Sequence, residues 1–317
     1  MRQTVELGRK GSGARENGTS RRAAMLVVGH GSRDGRATAE FERLVALVRE
    51  RSPEGVPVEG GFIELARPPI SECVARLEAS GAGLVGAVPL MLLAAGHAKN
   101  DIPATLVREG LSHPGLEFRY GRALGVRPEL LDLMDRRIRA AVPEEELPET
   151  AVLLVGRGSS DPDANSDLAK IGRLFFEGRP YPLVESAFVS LAPPDVPLAL
   201  DRLKRLGVRR VAVFSYFLFT GVLEERIRRE SETFARENPG VGVRYAGYFG
   251  PDALVADLVV ERYREALGGD IRMNCDVCVH RVALPGFESK VGRPATPHYH
   301  PDEPGHHHHH HDHPHGH

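Results

Sequence analysis

Cysteine, net charge and long apolar runs are what this sequence has least of, and each shortage closes off a class of protein. Three cysteines in 317 residues, Cys73, Cys275 and Cys278, cannot build a disulfide framework, so a reducing cytoplasm is the expected compartment. Lys and Arg total 41 against 43 Asp and Glu, and a net charge of -2 gives no long-range pull on a polyanion. That argues against nucleic acid as a partner. No stretch approaches the ~18–20 uninterrupted apolar residues of a membrane helix, and no membrane association is expected. The basic N-terminus lacks an apolar segment and does not read as a secretory signal. Hydrophobic residues at 41% and charged residues at 26% are ordinary for a globular chain, and the length favours two domains over one. Histidine alone is in excess. Of the 15 in the chain, eleven follow Val291, and that skew points at metal.

Residues 1–22 carry Gly, Ser, Asn and Arg without apolar period and are expected to form a disordered tail. From Ala23 the texture changes. Ala24–Val28 reads as a buried parallel strand, Ala37–Arg51 as a helix and Val56–Ile63 as a second strand. Ile70–Ala79 reads as a second helix, Leu84–Leu93 as a third strand, about 100–109 as a helix, and Glu117–Tyr120 as a fourth strand. Alternation of this kind means βαβ units on a parallel sheet. The text then returns. AMLVVGHGSRD at 24–34 matches AVLLVGRGSSD at 151–161; GGFIELARPP at 60–69 matches ESAFVSLAPP at 185–194. VGAVPLMLLAAGH at 85–97 matches VAVFSYFLFTGV at 211–222 with one residue dropped, and the offset is about 126 residues throughout. The expected fold class is therefore α/β: two similar parallel-sheet domains at 23–142 and 150–268. They are joined by the acidic linker Pro143–Glu149 and followed by a flexible His-rich region, 269–317.

In open parallel sheets, ligands sit beyond the carboxyl ends of the strands. His30 follows the first strand in GHGSR, Glu64 ends the second in FIELARPP, and His97 follows the third in LLAAGH. Two imidazoles and a carboxylate suit a divalent first-row ion, and three protein ligands leave positions open for reaction. A single histidine after a strand is more often a structural hydrogen-bonder. Gly29–Ser32 also reads as a phosphate-binding turn, although it lacks the spacing of a nucleotide loop. The repeat discriminates between these readings. At the positions of His30, Glu64 and His97 the second copy has Arg157, Ser190 and Val222, so all three candidates vanish together while the strand text is kept. Joint loss is what a duplicated site does when only one copy needs metal.

With VGHGSR, FIELARPPI, PLMLLAAGHAKNDIP and the M-x-C-x-x-C of MNCDVC in view, the sequence resembles the class II tetrapyrrole chelatases. The likeness is to their long, two-domain sirohydrochlorin cobaltochelatase form and runs from about Ala24 to Cys278. It implies a tandem chelatase fold with the macrocycle bound between the domains. It also implies ATP-independent insertion of Co2+ into sirohydrochlorin, as in cobalamin synthesis. By that resemblance His30 and His97 are ligands and Glu64 their acidic partner. All three are candidate catalytic residues, since neutral imidazoles ligate reversibly and accept protons near neutral pH. Glu64 would orient a histidine or take a proton in turn.

The implied substrate carries many carboxylates, so cations should line the cleft. Arg33, Arg67, Lys99 and Arg157 are the candidates, with surface charge as the plainer reading of each. Asp101 reads equally as a helix cap or a site residue. Cys73 falls in the second helix and reads as packing. Cys275 and Cys278 read as an accessory metal or redox pair; two thiolates alone do not hold a cluster, and an iron–sulfur cluster would need ligands from elsewhere. At the end of the chain His306, His307, His308, His309, His310, His311, His313, His315 and His317 read as a metal-collecting tail. An expression tag is the plainer alternative for the unbroken run His306–His311. The ligand set does not separate Co2+ from Fe2+ or Ni2+, so a ferrochelatase or nickel chelatase is the nearest alternative. A non-enzymatic metal-storage or metallochaperone protein is the alternative of a different class. The sequence leaves a homodimer open.

Overall fold

The computed structural model describes residues 21–269 and 288–291. The chain forms two four-stranded parallel sheets. In the front sheet, β1 (Ala23–Gly29), β2 (Val58–Phe62), β3 (Leu84–Pro89) and β4 (Glu117–Tyr120) lie in the order β2-β1-β3-β4. In the rear sheet, β5 (Thr150–Gly156), β6 (Val184–Phe188), β7 (Arg210–Ser215) and β8 (Gly242–Tyr245) repeat it as β6-β5-β7-β8. The crossovers are α1 (Gly35–Arg51), α2 (Ile70–Ala79) and α3 (Ile102–Ser112) in front, and α5 (Pro162–Phe176), α6 (Val196–Arg205) and α7 (Val222–Glu237) behind. Each half closes with a further helix, α4 (Pro128–Ala141) and α8 (Ala253–Gly268). Among the described residues no helix is long and apolar enough to cross a membrane.

Period-two alternation along the central strands explains how one chain builds three cores. Met25 and Val27 of β1 face a central core shared by both halves, whereas Ala24, Leu26 and Val28 face an outer core under α2 and α3. In the rear sheet Val152 and Leu154 turn to the same central core, and Ala151, Leu153 and Val155 to an outer core under α6 and α7.

The closing helices are exchanged. Helix α8 follows the rear sheet in sequence but packs on β3 and α1 of the front half, and α4 packs against β7 of the rear half. Gly86 of β3 makes room for this: a Cβ there would lie 2.5 Å from the Tyr263 ring of α8. Arg262 of α8 is 1% exposed and is held by the Ala123 and Leu124 carbonyls, at 3.2 and 2.8 Å, and by Glu265. Burying one large apolar side chain contributes about 1.5–3 kcal/mol. Helix α8 commits Val255, Leu258, Val259, Val260 and Tyr263 to cores shared with the front half, so neither half retains its full core without the other.

Three segments depart from the sequence reading. Strand β3 ends at Pro89 rather than Leu93; the apolar run continues because Leu90 and Leu92 are buried beneath the loop that leaves the sheet. Strand β2 is shorter than Val56–Ile63, since Val56 closes a turn onto the Pro53 carbonyl. The connector is structured: Glu144–Glu149 forms a 3-10 turn that buries Leu147 completely, and Glu146 reaches Arg244 at 2.9 Å.

Candidate metal centre

His30, Glu64 and His97 each leave the carboxyl end of a different front strand. Past the end of the β1–β2 ladder the two chains continue side by side, with Ile63 N donating to the Gly29 carbonyl at 3.0 Å and Glu64 N to the His30 carbonyl at 3.1 Å. This puts Glu64 next to His30. The close approach requires Gly31, with φ 97°, because a Cβ there would collide with the Glu64 carbonyl oxygen. The next residue after Glu64, Leu65, takes φ 62°, a strained setting outside glycine, with Ala66 N closing back on the Glu64 carbonyl at 2.8 Å. His97 comes from the β3 exit, where the chain makes a wide π-helical turn, His97–Asp101, before α3. Such turns recur at functional sites.

The three side chains converge: one ligand atom from each lies within 4.8 Å of the others. The imidazoles of His30 and His97 meet edge to face, with ring centroids 4.5 Å apart. His30 Nδ1 lies 3.1 Å from the Gly31 carbonyl, which assigns the proton to Nδ1 and the lone pair to Nε2. Nε2 is buried without a hydrogen-bond partner and stands 3.3 Å from Glu64 Oε1, a close approach that lacks hydrogen-bond geometry. An unmatched lone pair beside a carboxylate is what a cation would satisfy. His97 Nδ1 sits 2.6 Å from Asp101 Oδ2, so the carboxylate orients that ring and makes Nε2 the candidate ligand atom. Burial holds the His30 pKa below its ordinary value, aided by the neighbouring His97 and opposed by Glu64, so the ring is neutral at pH 7. All three side chains are partly exposed, at 29%, 19% and 27%, so the cluster is open to solvent.

The expected cationic lining is redistributed. Arg33 and Arg157 are exposed, and Arg157, in the rear half, is near enough for its charge to act on His30. Arg67 is exposed and paired with Glu72. Lys99 corrects its expected role as a substrate contact. Its side chain is 4% exposed, and its ammonium donates to Asp161 at 2.7 Å and Asp163 at 2.8 Å, two acids of the rear half. Burial alone would lower its pKa, but the two carboxylates outweigh burial and hold it above the ordinary value. Asp101 makes no capping bond and orients His97 instead; its i,i+4 spacing from His97 was the available signal. Cys73 is buried, 3.4 Å from the Gly60 carbonyl, and burial pushes its thiol up to about 12. The expected accessory pair, Cys275 and Cys278, lies outside the described residues. So does the whole of the expected metal-collecting tail: His306, His307, His308, His309, His310, His311, His313, His315 and His317.

The rear half keeps the loop but not the candidate ligands. Ser190 N donates to the Arg157 carbonyl at 3.0 Å, Gly158 has φ 84° and would also collide with the facing carbonyl, and Leu191 repeats the strained φ at 61°. Where His97 stands in front, Val222 opens α7 and is 71% exposed. A separate concavity of about 410 Å3 lies between the Arg122–Glu129 loop and α8. Its arginines are neutralised by neighbours, Arg122 and Arg262 by Glu265 and Arg127 by Glu129 and Glu261, so it has little to offer an anion.

Residues 24–141 and 151–266 each match the CbiX family model. The chain belongs to the CbiX family. It is 36% identical over 263 residues, 82% of its own length and 85% of the relative's, to a sirohydrochlorin cobaltochelatase of Priestia megaterium. It is 34% identical to a sirohydrochlorin ferrochelatase of Bacillus subtilis, covering 76% of this chain and 91% of that one. Two solved structures of SirB from Bacillus subtilis superpose on it. The one with Fe3+ has a TM-score of 0.69 at 32% identity, covering 78% of this chain and 97% of that chain. The one in complex with cobalt has a TM-score of 0.66 at 30% identity, with the same coverage.

Proposed function

We propose that this protein is an enzyme that inserts Co2+ into sirohydrochlorin without nucleotide hydrolysis, as a cobaltochelatase of cobalamin synthesis. The observation that carries the reading is the convergence of His30, Glu64 and His97 within 4.8 Å at the carboxyl edge of the front sheet. Insertion strips water from the ion, brings the macrocycle over it and removes two pyrrole N–H protons. The Nε2 atoms of His30 and His97, with Glu64, would hold the incoming ion, and three protein ligands leave positions for departing water and arriving ring nitrogens. Once the metal moves to the macrocycle, the vacated lone pairs are available to the two protons. The lowered His30 pKa keeps that ring ready to ligate, and Glu64 Oε1, 3.3 Å from its Nε2, is near enough to take up a proton once the two side chains reorient. Arg157, whose charge acts on His30, and Arg33, exposed three residues after His30 in the chain, suit peripheral carboxylates of the ring, whereas Arg67 would first have to leave Glu72.

Cobalt is favoured by the identity to the Priestia megaterium cobaltochelatase and by the histidine-rich end of the sequence. Iron is the second reading, on the 34% identity to the Bacillus subtilis ferrochelatase. The three candidate ligand side chains all come from one half of one chain, so bringing them together does not call for the homodimer left open by the sequence. The cytoplasm is the proposed compartment, on cysteine usage. A cluster at Cys275 and Cys278 forms no part of this reading.

The test mixes metal-free protein and sirohydrochlorin anaerobically with Co2+, Fe2+ or Ni2+ and follows the absorption spectrum. Conversion fastest with cobalt is expected. Faster conversion with iron reassigns the metal, and metal uptake with no spectral change for any ion leaves a metallochaperone. Cutting the chain after Gly305 should preserve turnover at ample metal and slow it at scarce metal, as a tethered collector requires. Equal rates at both extremes would remove the collector role.

A further inference from the structure

The rear half has Arg157, Ser190 and Val222 at the three candidate ligand positions, yet it grips the turn that carries His97. Lys99 sits in the π-helical turn between His97 and Asp101, and its ammonium reaches across to Asp161 and Asp163 at the start of α5. Asp161 is itself fixed: its Oδ1 accepts from Asp163 N at 3.1 Å and its own N donates to Ser159 Oγ at 3.0 Å. The two carboxylates are 5% and 1% exposed. A cation and two anions so withdrawn from water are a poor route to stability, since apolar side chains of similar volume often do as well or better. What charged groups supply here is direction, because the ammonium has one low-energy position between its acids.

A second strap runs the opposite way. Thr220 N, in the rear loop equivalent to the one before His97, donates to Glu40 Oε2 of α1 at 2.8 Å, and Glu225 pairs with Arg36 at 2.7 Å. Each half therefore holds the other's β3-type exit loop, but only the front loop carries a ligand. We propose that Lys99 is a positioning residue, through which Asp161 and Asp163 of the rear half hold His97 at its place in the metal centre. This rests on the metal-centre reading above.

The test measures Co2+ binding to the metal-free full chain by titration calorimetry and by the ligand-field spectrum of the bound ion. Lys99→Met combined with Asp161→Asn and Asp163→Asn removes the strap without stranding a charge, and Asn still caps α5. It should weaken Co2+ binding about 10-fold, the lower end of the range for outer partners of a ligand, and shift the cobalt bands. It should raise KM for metal and leave KM for sirohydrochlorin unchanged. Asp163→Asn alone, the milder variant should the triple not fold, should weaken binding ~3-fold, and Lys99→Arg should retain more affinity than the triple variant. Arg36→Gln, which removes the Arg36–Glu225 arm of the other strap and leaves the Thr220–Glu40 bond, should leave Co2+ affinity within about twofold. Wild-type affinity and bands in folded Asp163→Asn, and in the triple variant wherever it folds, would overturn the proposal. Failure of the wild type to bind Co2+ in a manner lost in His97→Ala would instead overturn the metal-centre reading and this inference with it.

Discussion

The front and rear halves repeat the same loop with different contents, and the contrast separates scaffold from chemistry. Gly31 and Gly158 take similar positive φ, Leu65 and Leu191 carry the same strain, and the backbone bonds closing the two loops agree within 0.1 Å. A strained backbone kept where no ligand stands belongs to the fold and not to the metal. Against that shared frame His30, Glu64 and His97 face Arg157, Ser190 and Val222. The sharpest way to break the comparison is to truncate the equivalent side chain on each side. His97→Ala or His30→Ala should lower chelation ~100-fold or more, beyond the 10–100-fold of an outer partner. Val222→Ala should stay within about twofold. Comparable losses on both sides would mean the rear loop takes part in chemistry.

Asp101 adds to the contrast at a smaller scale. It orients His97 through Nδ1 at 2.6 Å, and α7 opens after Gly221 with no such pair. Asp101→Asn keeps the shape but weakens the ring's anchor, so metal affinity should fall about 10–100-fold. Calorimetry of Co2+ binding checks it, and an unchanged affinity would make the pair incidental.

The two glycines should behave alike in stability and differ in function. A methyl at Gly31 or Gly158 meets a backbone carbonyl while holding a disfavoured φ, so either Gly→Ala change should cost about 2 kcal/mol or more in chemical denaturation. Only Gly31→Ala should also weaken Co2+, because the carbonyl it displaces belongs to Glu64. Loss of metal affinity in Gly158→Ala would mean that the halves are coupled beyond the Lys99 strap.

The parts of this arrangement that could be read from the sequence are those written locally. Strand alternation and the repeated text reveal two parallel sheets, and the candidate ligands stand out because they follow strand ends and disappear together from the copy. What depends on distant partners was not legible. The α4 and α8 exchange leaves ordinary amphipathic text, and nothing in Gly86 names Tyr263. Lys99 reads as a cation beside a ligand, and only the fold shows that acids 62 and 64 residues away consume its charge. Asp101 reads equally as a cap or a site residue because Asp is common at helix starts; the π-helical turn directs it to His97.

The smallest expected effect is a pH dependence at the position of His30, which its rear counterpart Arg157 cannot share. His30 is held below its ordinary pKa of 6.5 chiefly by burial, then by His97, with Glu64 pulling the other way. The unfolded chain then binds a proton on His30 before the folded one does. The His30 contribution to the stability of the metal-free protein must fall as pH drops from about 7 through 6.5 to the folded pKa and level off below it. Arg157, at the equivalent rear position, stays charged throughout and adds no slope. His30→Ala should therefore flatten part of the curve of denaturation midpoint against pH, whereas Arg157→Gln, which removes the weakest of the influences on His30, should barely move it. A slope that survives intact in His30→Ala would belong to other titrating groups, and the ring would then be ionising as it does in water.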